Sequence, residues 1–269
     1  MAAQMETAAQ TETAAQIETV VQLLQQSSSI LFITGAGLSA DSGLPTYRGA
    51  GGLYNGTQTE ENLPIEQLLS GTMFAARPGL TWKYLLQVAQ ACEGAKPNRG
   101  HQVIAEMEAV WERLWVLTQN VDGFHREAGS RNLIEIHGNL HGLHCTACEY
   151  TMEVENYRPL SLPPRCPECQ AVLRPRVVLF GEMLPPQACI LYEQQMKQGF
   201  DLVFSIGTSS IFPYIIQPVV EAYRRKKPVV EINLEETEVS RFATIRLRSG
   251  AAETLDRIWT LYQQRYIRE

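Results

Sequence analysis

The stretch Ser29–Tyr54, SILFITGAGLSADSGLPTYRGAGGLY, constrains this chain more than any other. It opens with Ile30-Leu31-Phe32-Ile33-Thr34, a short apolar run with β-branched residues that reads as a buried strand. The run ends in Gly35-Ala36-Gly37-Leu38-Ser39-Ala40, which fits the G-x-G-x-x-G/A pattern of a dinucleotide-binding turn. In that pattern the first glycine permits a tight turn. The second lets backbone N–H groups approach a pyrophosphate with no side chain between them. An ordinary strand-to-helix turn can carry the same letters, so the pattern alone leaves both readings open. The next residues depart from a hydride-transfer unit, which would place a second strand with an acidic end about 20 residues further on. Here the chain gives Gly43-Leu44-Pro45, then Thr46-Tyr47-Arg48 and Gly49-Ala50-Gly51-Gly52, a loop able to fold over a bound nucleotide.

Similar apolar runs recur downstream: Leu114–Thr118, Leu133–Ile136, Leu202–Ile206, Val229–Ile232 and the short Thr244–Leu247. Helical patterns separate several of them, at His101–Val110, Pro213–Tyr223 and Ala251–Tyr262. This alternation predicts an α/β fold, a doubly wound parallel sheet of Rossmann-like type with ligands at the carboxyl ends of the strands. The polar residues of interest fall at those ends: Gly35 to Ser39, Gln119 to Asp122, His137, Gly207-Thr208-Ser209 and Asn233. A helical insertion is expected at about 56–95, broken by Pro64 and Pro78, and a second, cysteine-bearing insertion at about 139–178. Residues 1–19 hold three hexads, AAQMET, AAQTET and AAQIET, and read as a mobile or fraying helical tail ahead of a domain over 20–269.

Cys145-x-x-Cys148 and Cys166-x-x-Cys169 are separated by the 17 residues 149–165, a spacing that closes a four-thiolate zinc site. Four protein ligands leave no open position, so such a zinc is structural. Cys92 and Cys189 stay outside this scheme as packed thiols. His141 and His144 lie close enough to be alternative ligands, although the cysteines already complete a set. Taken in isolation, Gln119-Asn120-Val121-Asp122 reads as well as a self-capped turn, and a lone His137 as structural, although imidazole suits a general base. His101 and His125 read as structural.

Composition excludes several classes. A net charge of −6 argues against general affinity for nucleic acid or an anionic membrane. No apolar run reaches the length of about 18 residues needed to span a bilayer. The N-terminus has neither the basic and apolar regions of a secretory signal nor the arginines of a mitochondrial one. The expected setting is the cytoplasm, with a monomer favoured.

Gly35-Ala36-Gly37-Leu38-Ser39-Ala40-Asp41-Ser42-Gly43-Leu44-Pro45-Thr46-Tyr47-Arg48 resembles the signature of the sirtuins, the NAD-dependent protein deacylases. The resemblance runs from about Ser29 to Leu255 and takes in the Gln119–Asp122 stretch, His137-Gly138, the paired cysteines, Gly207-Thr208-Ser209 and Ile232-Asn233. It implies NAD as cofactor, one structural zinc, and acylated-lysine proteins as substrates. Gly35, Ala36, Gly37, Ser39, Asp41, Tyr47, Arg48, Gln119, Asn120, Asp122, Gly207, Thr208, Ser209, Asn233 and Ala251 would hold the dinucleotide, with Asn120 at the nicotinamide ribose and Asp122 at the carboxamide. Val178, Phe180, Gly181 and Glu182 would accept the substrate peptide as an added strand, though the same segment also reads as an ordinary edge strand.

By the same resemblance, the acyl oxygen attacks the ribose carbon and nicotinamide leaves. His137, with Asn120, then serves the attack of a ribose hydroxyl, giving free lysine and O-acyl-ADP-ribose. The family usually has Phe where this chain has Tyr47. Thr46 and the glycines after Arg48 resemble the branch that removes succinyl groups, but the Tyr and Arg that this branch carries fall on Leu85 and Val88 here. An apolar pair cannot neutralise a buried carboxylate, so neutral acyl groups, acetyl first, are expected. The same pocket would also suit ADP-ribosyl transfer or NAD hydrolysis, and a non-catalytic NAD- and zinc-binding module is a further reading.

Overall fold

The computed structural model describes residues 2–46 and 59–267, with residues 2–11 described by their backbone alone. Tyr47, Arg48 and the glycine run Gly49–Gly52 lie outside the described residues, as does the start of the helical insertion. The chain begins with α1 (Ala2–Gln25), β1 (Ser29–Thr34) and the short α2 (Ala36–Ser39). Next come α3 (Ile65–Leu68), α4 (Gly71–Ala76), α5 (Pro78–Cys92) and α6 (Arg99–Met107), then β2 (Arg113–Thr118), α7 (Phe124–Glu127) and β3 (Leu133–Glu135). A small three-strand section comes after β3, made of β4 (Gly138–Cys145), β5 (Thr151–Glu153) and β6 (Leu173–Val177). The remainder is α8 (Pro186–Gln198), β7 (Leu202–Ile206), α9 (Pro213–Arg224), β8 (Val229–Ile232), β9 (Ile245–Leu247) and α10 (Ala251–Tyr266).

The main sheet has the order β3-β2-β1-β7-β8-β9 and is parallel throughout. Every residue of β1 and β7 is buried, as expected for central strands covered by helices on both faces. One face packs Ile30, Phe32, Val116, Phe204 and Val230 against α1, α6 and α10; the other packs Leu31, Ile33, Val203 and Val229 against α8 and α9. Phe32 and Phe204 stack across neighbouring strands with ring centroids 4.6 Å apart. The chain leaves β1 toward one side of the sheet and returns to β7 on the other. The carboxyl ends of β1 and β7 therefore flank the switch point at which such sheets bind ligands.

A second core lies outside this sheet. Leu68, Phe74, Trp82 and Leu85 of the helical insertion pack with Leu140, Leu143, Leu173 and Leu179 of the cysteine-bearing insertion. The Trp82 indole N–H donates to the Leu173 carbonyl at 2.9 Å across that contact. Two insertions separated in sequence thus form one module, and the antiparallel sheet β5-β4-β6 is its frame.

Three elements differ from the sequence reading. One helix, α1, runs from Ala2 to Gln25, so the hexads continue into the domain as a single helix and the boundary set at residue 19 falls inside it, with Ile17 already buried in the core. Helix α8 carries no clear apolar stripe, and the sequence reading does not include it. Val178–Glu182 is not an ordinary edge strand: it makes one isolated bridge, Ser70 to Phe180, and then turns. No described helix is long and apolar enough to cross a membrane.

Candidate active site

A cavity of about 630 Å³ opens at the switch point, between the main sheet and the second module. Its floor is made by the loops after β1 and β7, which touch each other. The Gly35 N–H donates to the Ile206 carbonyl at 3.1 Å, and the Gly37 N–H to the Gly207 carbonyl at 2.8 Å. A Cβ on Gly35 would lie 2.7 Å from the Thr208 Cβ, and one on Gly37 would lie 2.6 Å from the Gly207 Cα. Gly207 itself sits at a φ of +58. The glycines are therefore required by the contact between two loops. Their own N–H groups serve that contact.

The side chains at the strand ends are locked to this floor. Asn120 is buried and donates from Nδ2 to the Gly35 carbonyl at 3.0 Å and to Ser39 Oγ at 3.1 Å. Ser39 Oγ in turn donates to Asp122 Oδ2 at 2.7 Å, and the Phe124 N–H donates to Asp122 Oδ1 at 3.0 Å. Burial raises the pKa of Asp122 above the usual carboxylate value, against those hydrogen bonds. Gln119 donates to Thr208 Oγ1 at 2.8 Å, and Asn233 donates to the Thr208 carbonyl at 2.9 Å. Asp41 accepts the Ala252 N–H at 2.9 Å, so its carboxylate tethers the first turn of α10. Of the described residues expected to hold the dinucleotide, Gly35, Ala36, Gly37, Asp41, Gln119, Asn120, Gly207, Thr208, Ser209, Asn233 and Ala251 line the cavity. Ser39 and Asp122 instead border a small side pocket that shares Ala36, Val88 and Asn120 with it.

His137 stands in the cavity wall just beyond β3. Its Nδ1 lies 3.1 Å from the Gln119 carbonyl, which can only accept, so Nδ1 carries the proton and Nε2 holds the lone pair. Burial lowers the pKa of His137, which keeps the ring neutral near pH 7, the form required of a base. The apolar side of the cavity is formed by Leu69, Leu85, Val88, Leu140, Val177 and Leu179. Leu85 and Val88 are thus placed where the sequence expected them, on α5. Among the described lining residues no Lys or Arg occurs, while Asp41, Glu182, Glu235 and Glu236 are present.

Val178, Phe180, Gly181 and Glu182 also line the cavity, but most of their backbone is engaged. The N–H groups of Val178 and Phe180 donate to the His137 and Leu69 carbonyls, and the Leu179 N–H donates to Glu182 Oε2 at 2.9 Å. Arg174 holds both Glu182 oxygens, at 2.6 and 2.9 Å. Phe212 and Tyr214 line the same wall as His137 and were not anticipated; both come after the expected Gly207-Thr208-Ser209 loop, and no residue pattern marks them.

In the second module, the Sγ atoms of Cys145, Cys148, Cys166 and Cys169 all lie within 4.8 Å of one another. The separations of 3.4 Å for Cys145–Cys169 and 3.6 Å for Cys148–Cys166 are near the ~3.8 Å edge of a tetrahedron built on Zn–S bonds of ~2.3 Å. The four thiols therefore fit one structural zinc. His141 and His144 are not part of this cluster.

The Sir2 family model matches residues 35–213. The NAD-dependent protein deacylase 2 of Pseudomonas aeruginosa is 48% identical over 240 residues, covering 88% of this chain and 93% of that protein. The NAD-dependent protein deacylase 1 of Archaeoglobus fulgidus is 36% identical over 236 residues, covering 87% and 93%. Among solved structures, a Sir2 homologue in complex with NAD is similar at a TM-score of 0.82 and 34% identity, over 92% of this chain and 94% of that one.

Proposed function

The chain belongs to the Sir2 family, the sirtuins, and is an NAD-dependent protein deacylase; on that premise we propose that it removes neutral acyl groups, acetyl first, from protein lysines. The observation that carries the acyl preference is the apolar wall on which Leu85 and Val88 lie, with no Lys or Arg among the described lining residues. A succinyl carboxylate entering there would lose its hydration without gaining a partner and would meet carboxylates in the same cavity. A methyl or short alkyl group loses nothing by the same move.

The remaining roles rest on the arrangement of polar groups. Thr208, Ser209, Asn233 and Ala251 would hold the adenosine and phosphate portions of NAD, and Gln119 and Asn120 the nicotinamide end, with Asn120 at its ribose. Asp122, braced by Ser39, would receive the carboxamide. When bound, NAD supplies a ribose carbon that accepts the acyl oxygen as nicotinamide departs. His137, neutral and oriented by the Gln119 carbonyl, would be the base that takes up, at Nε2, the proton lost by a ribose hydroxyl. Glu182, clamped by Arg174, would fix the turn over which the substrate peptide passes. The zinc would keep β4, β5 and β6 in register and take no part in the chemistry.

Competition between acetyl-lysine and succinyl-lysine versions of one peptide tests the preference. Faster loss of the acetyl group supports it, and faster loss of the succinyl group contradicts it.

A further inference from the structure

The lone pair of His137 is already engaged. Tyr214 Oη lies 2.7 Å from His137 Nε2, and with Nδ1 protonated the hydroxyl is the donor. Tyr214 is held firmly at this point. It occupies the first turn of α9 directly after Pro213, its ring stacks on Phe212 at 5.5 Å and 8°, and its carbonyl accepts the Tyr192 hydroxyl at 2.9 Å. The His137 ring stands edge-on to both aromatic rings, at 5.6 Å from Phe212 and 5.8 Å from Tyr214. Tyr214 also lines the cavity. A substrate hydroxyl approaching Nε2 therefore either expels the tyrosine from a braced position or works through it.

We propose that Tyr214 is a proton relay between the bound substrate and His137. This rests on the deacylase reading and deepens it. A substrate hydroxyl gives its proton to Tyr214 Oη while the Tyr214 proton passes to His137 Nε2. The substrate O–H bond breaks, a new O–H bond forms on the phenol, and the substrate oxygen keeps the electron pair as nucleophile. Tyr214 ends as it began, a neutral phenol, and His137 becomes an imidazolium. Tyr214 Oη then accepts from Nε2–H, a charge-assisted hydrogen bond that stabilises the cation within its aromatic corner. Burial, which raises the Tyr214 pKa to about 12, keeps the phenol from ionising at neutral pH.

The test is Tyr214→Phe beside the wild type and His137→Ala. In the NAD-free protein, ring nitrogen NMR across pH should show Nδ1 protonated and Nε2 as a hydrogen-bonded acceptor in the wild type. In Tyr214→Phe the Nε2 resonance should move toward that of an unbonded nitrogen, and His137 should protonate at lower pH. With NAD and an acetyl-lysine peptide, kcat for deacylation should fall by about 100-fold, the scale of one general acid–base contribution. Nicotinamide exchange, which precedes the proton transfer, should persist. Unchanged His137 resonances, or full deacylation by Tyr214→Phe, would overturn the relay, as would loss of nicotinamide exchange and deacylation together in a variant that unfolds at the wild-type temperature. If the wild type itself neither deacylates nor releases nicotinamide, the deacylase reading fails instead, and the ring nitrogens still report whether the hydrogen bond exists.

Discussion

His137 combines a fixed tautomer with a lowered pKa, and both arise from its immediate surroundings. A base must be unprotonated to act. The rate should therefore hold steady through neutral pH and decline on the acid side, with a midpoint below the ordinary histidine value of 6.5. A profile of kcat/KM against pH checks this, and a midpoint above 7 would contradict the burial argument. On the proposed reading Leu85 and Val88 set the acyl preference, so Leu85→Tyr with Val88→Arg should reverse it. The paired phenol and guanidinium would supply a carboxylate partner, raising the succinyl-to-acetyl ratio of kcat/KM by about tenfold or more. Gly37 tests the loop contact: a Cβ there meets Gly207 backbone at 2.6 Å, and backbone cannot swing aside. Gly37→Ala should destabilise the fold by about 1–3 kcal/mol, measured by denaturant unfolding.

At the scale of elements, α6 and α7 bring two buried imidazoles together. His101 and His125 lie with ring centroids 4.9 Å apart; His125 Nε2 meets Thr34 Oγ1 at 2.9 Å, while His101 Nε2 and His125 Nδ1 have no partner. Burial pushes the His101 pKa down to about 4 and holds that of His125 well below its usual value. Both rings fold neutral, whereas in the unfolded chain they bind protons near pH 6.5. Their contribution is complete above pH 6.5 and is lost as pH falls below it, with His101 alone accounting for roughly 3 kcal/mol by pH 4. The melting temperature should drop over that window, and His101→Gln should flatten the drop. The zinc module gives a second prediction at this scale. Cys166→Ser, or a strong chelator, should loosen β4, β5 and β6, seen as faster amide exchange there, while β1 and β7 in their separate core stay protected. The elements also differ in how plainly the residues announce them. β1, β2, β7 and β8 were legible because buried parallel strands read as continuous apolar runs, and the cysteine spacing marked the metal site. Helix α8 was not legible, because it rests on the sheet through few apolar residues. Nor were β4 to β6, whose pairing depends on contacts across an insertion.

For the whole molecule, two cores meet along one cleft, and the cleft places a polar floor, proposed to hold the dinucleotide, beside an apolar wall, proposed to hold the acyl group. The polar half was legible, since strand ends in a parallel sheet converge by topology alone. Much of the apolar half was not. Leu69, Leu140, Val177 and Leu179 come from segments that meet only once the helical and cysteine-bearing insertions pack together, and Tyr214 reaches His137 from α9, which follows β7 in the other half of the sheet. The most direct measurement is mass spectrometry of acetyl-lysine and succinyl-lysine peptides incubated with the protein, with and without NAD, beside His137→Ala. Acetyl should be lost faster than succinyl, only with NAD, with release of nicotinamide and O-acetyl-ADP-ribose, and not with His137→Ala. Preferential loss of succinyl, or acetyl loss that persists in His137→Ala, would contradict a neutral-acyl deacylase with His137 as its base.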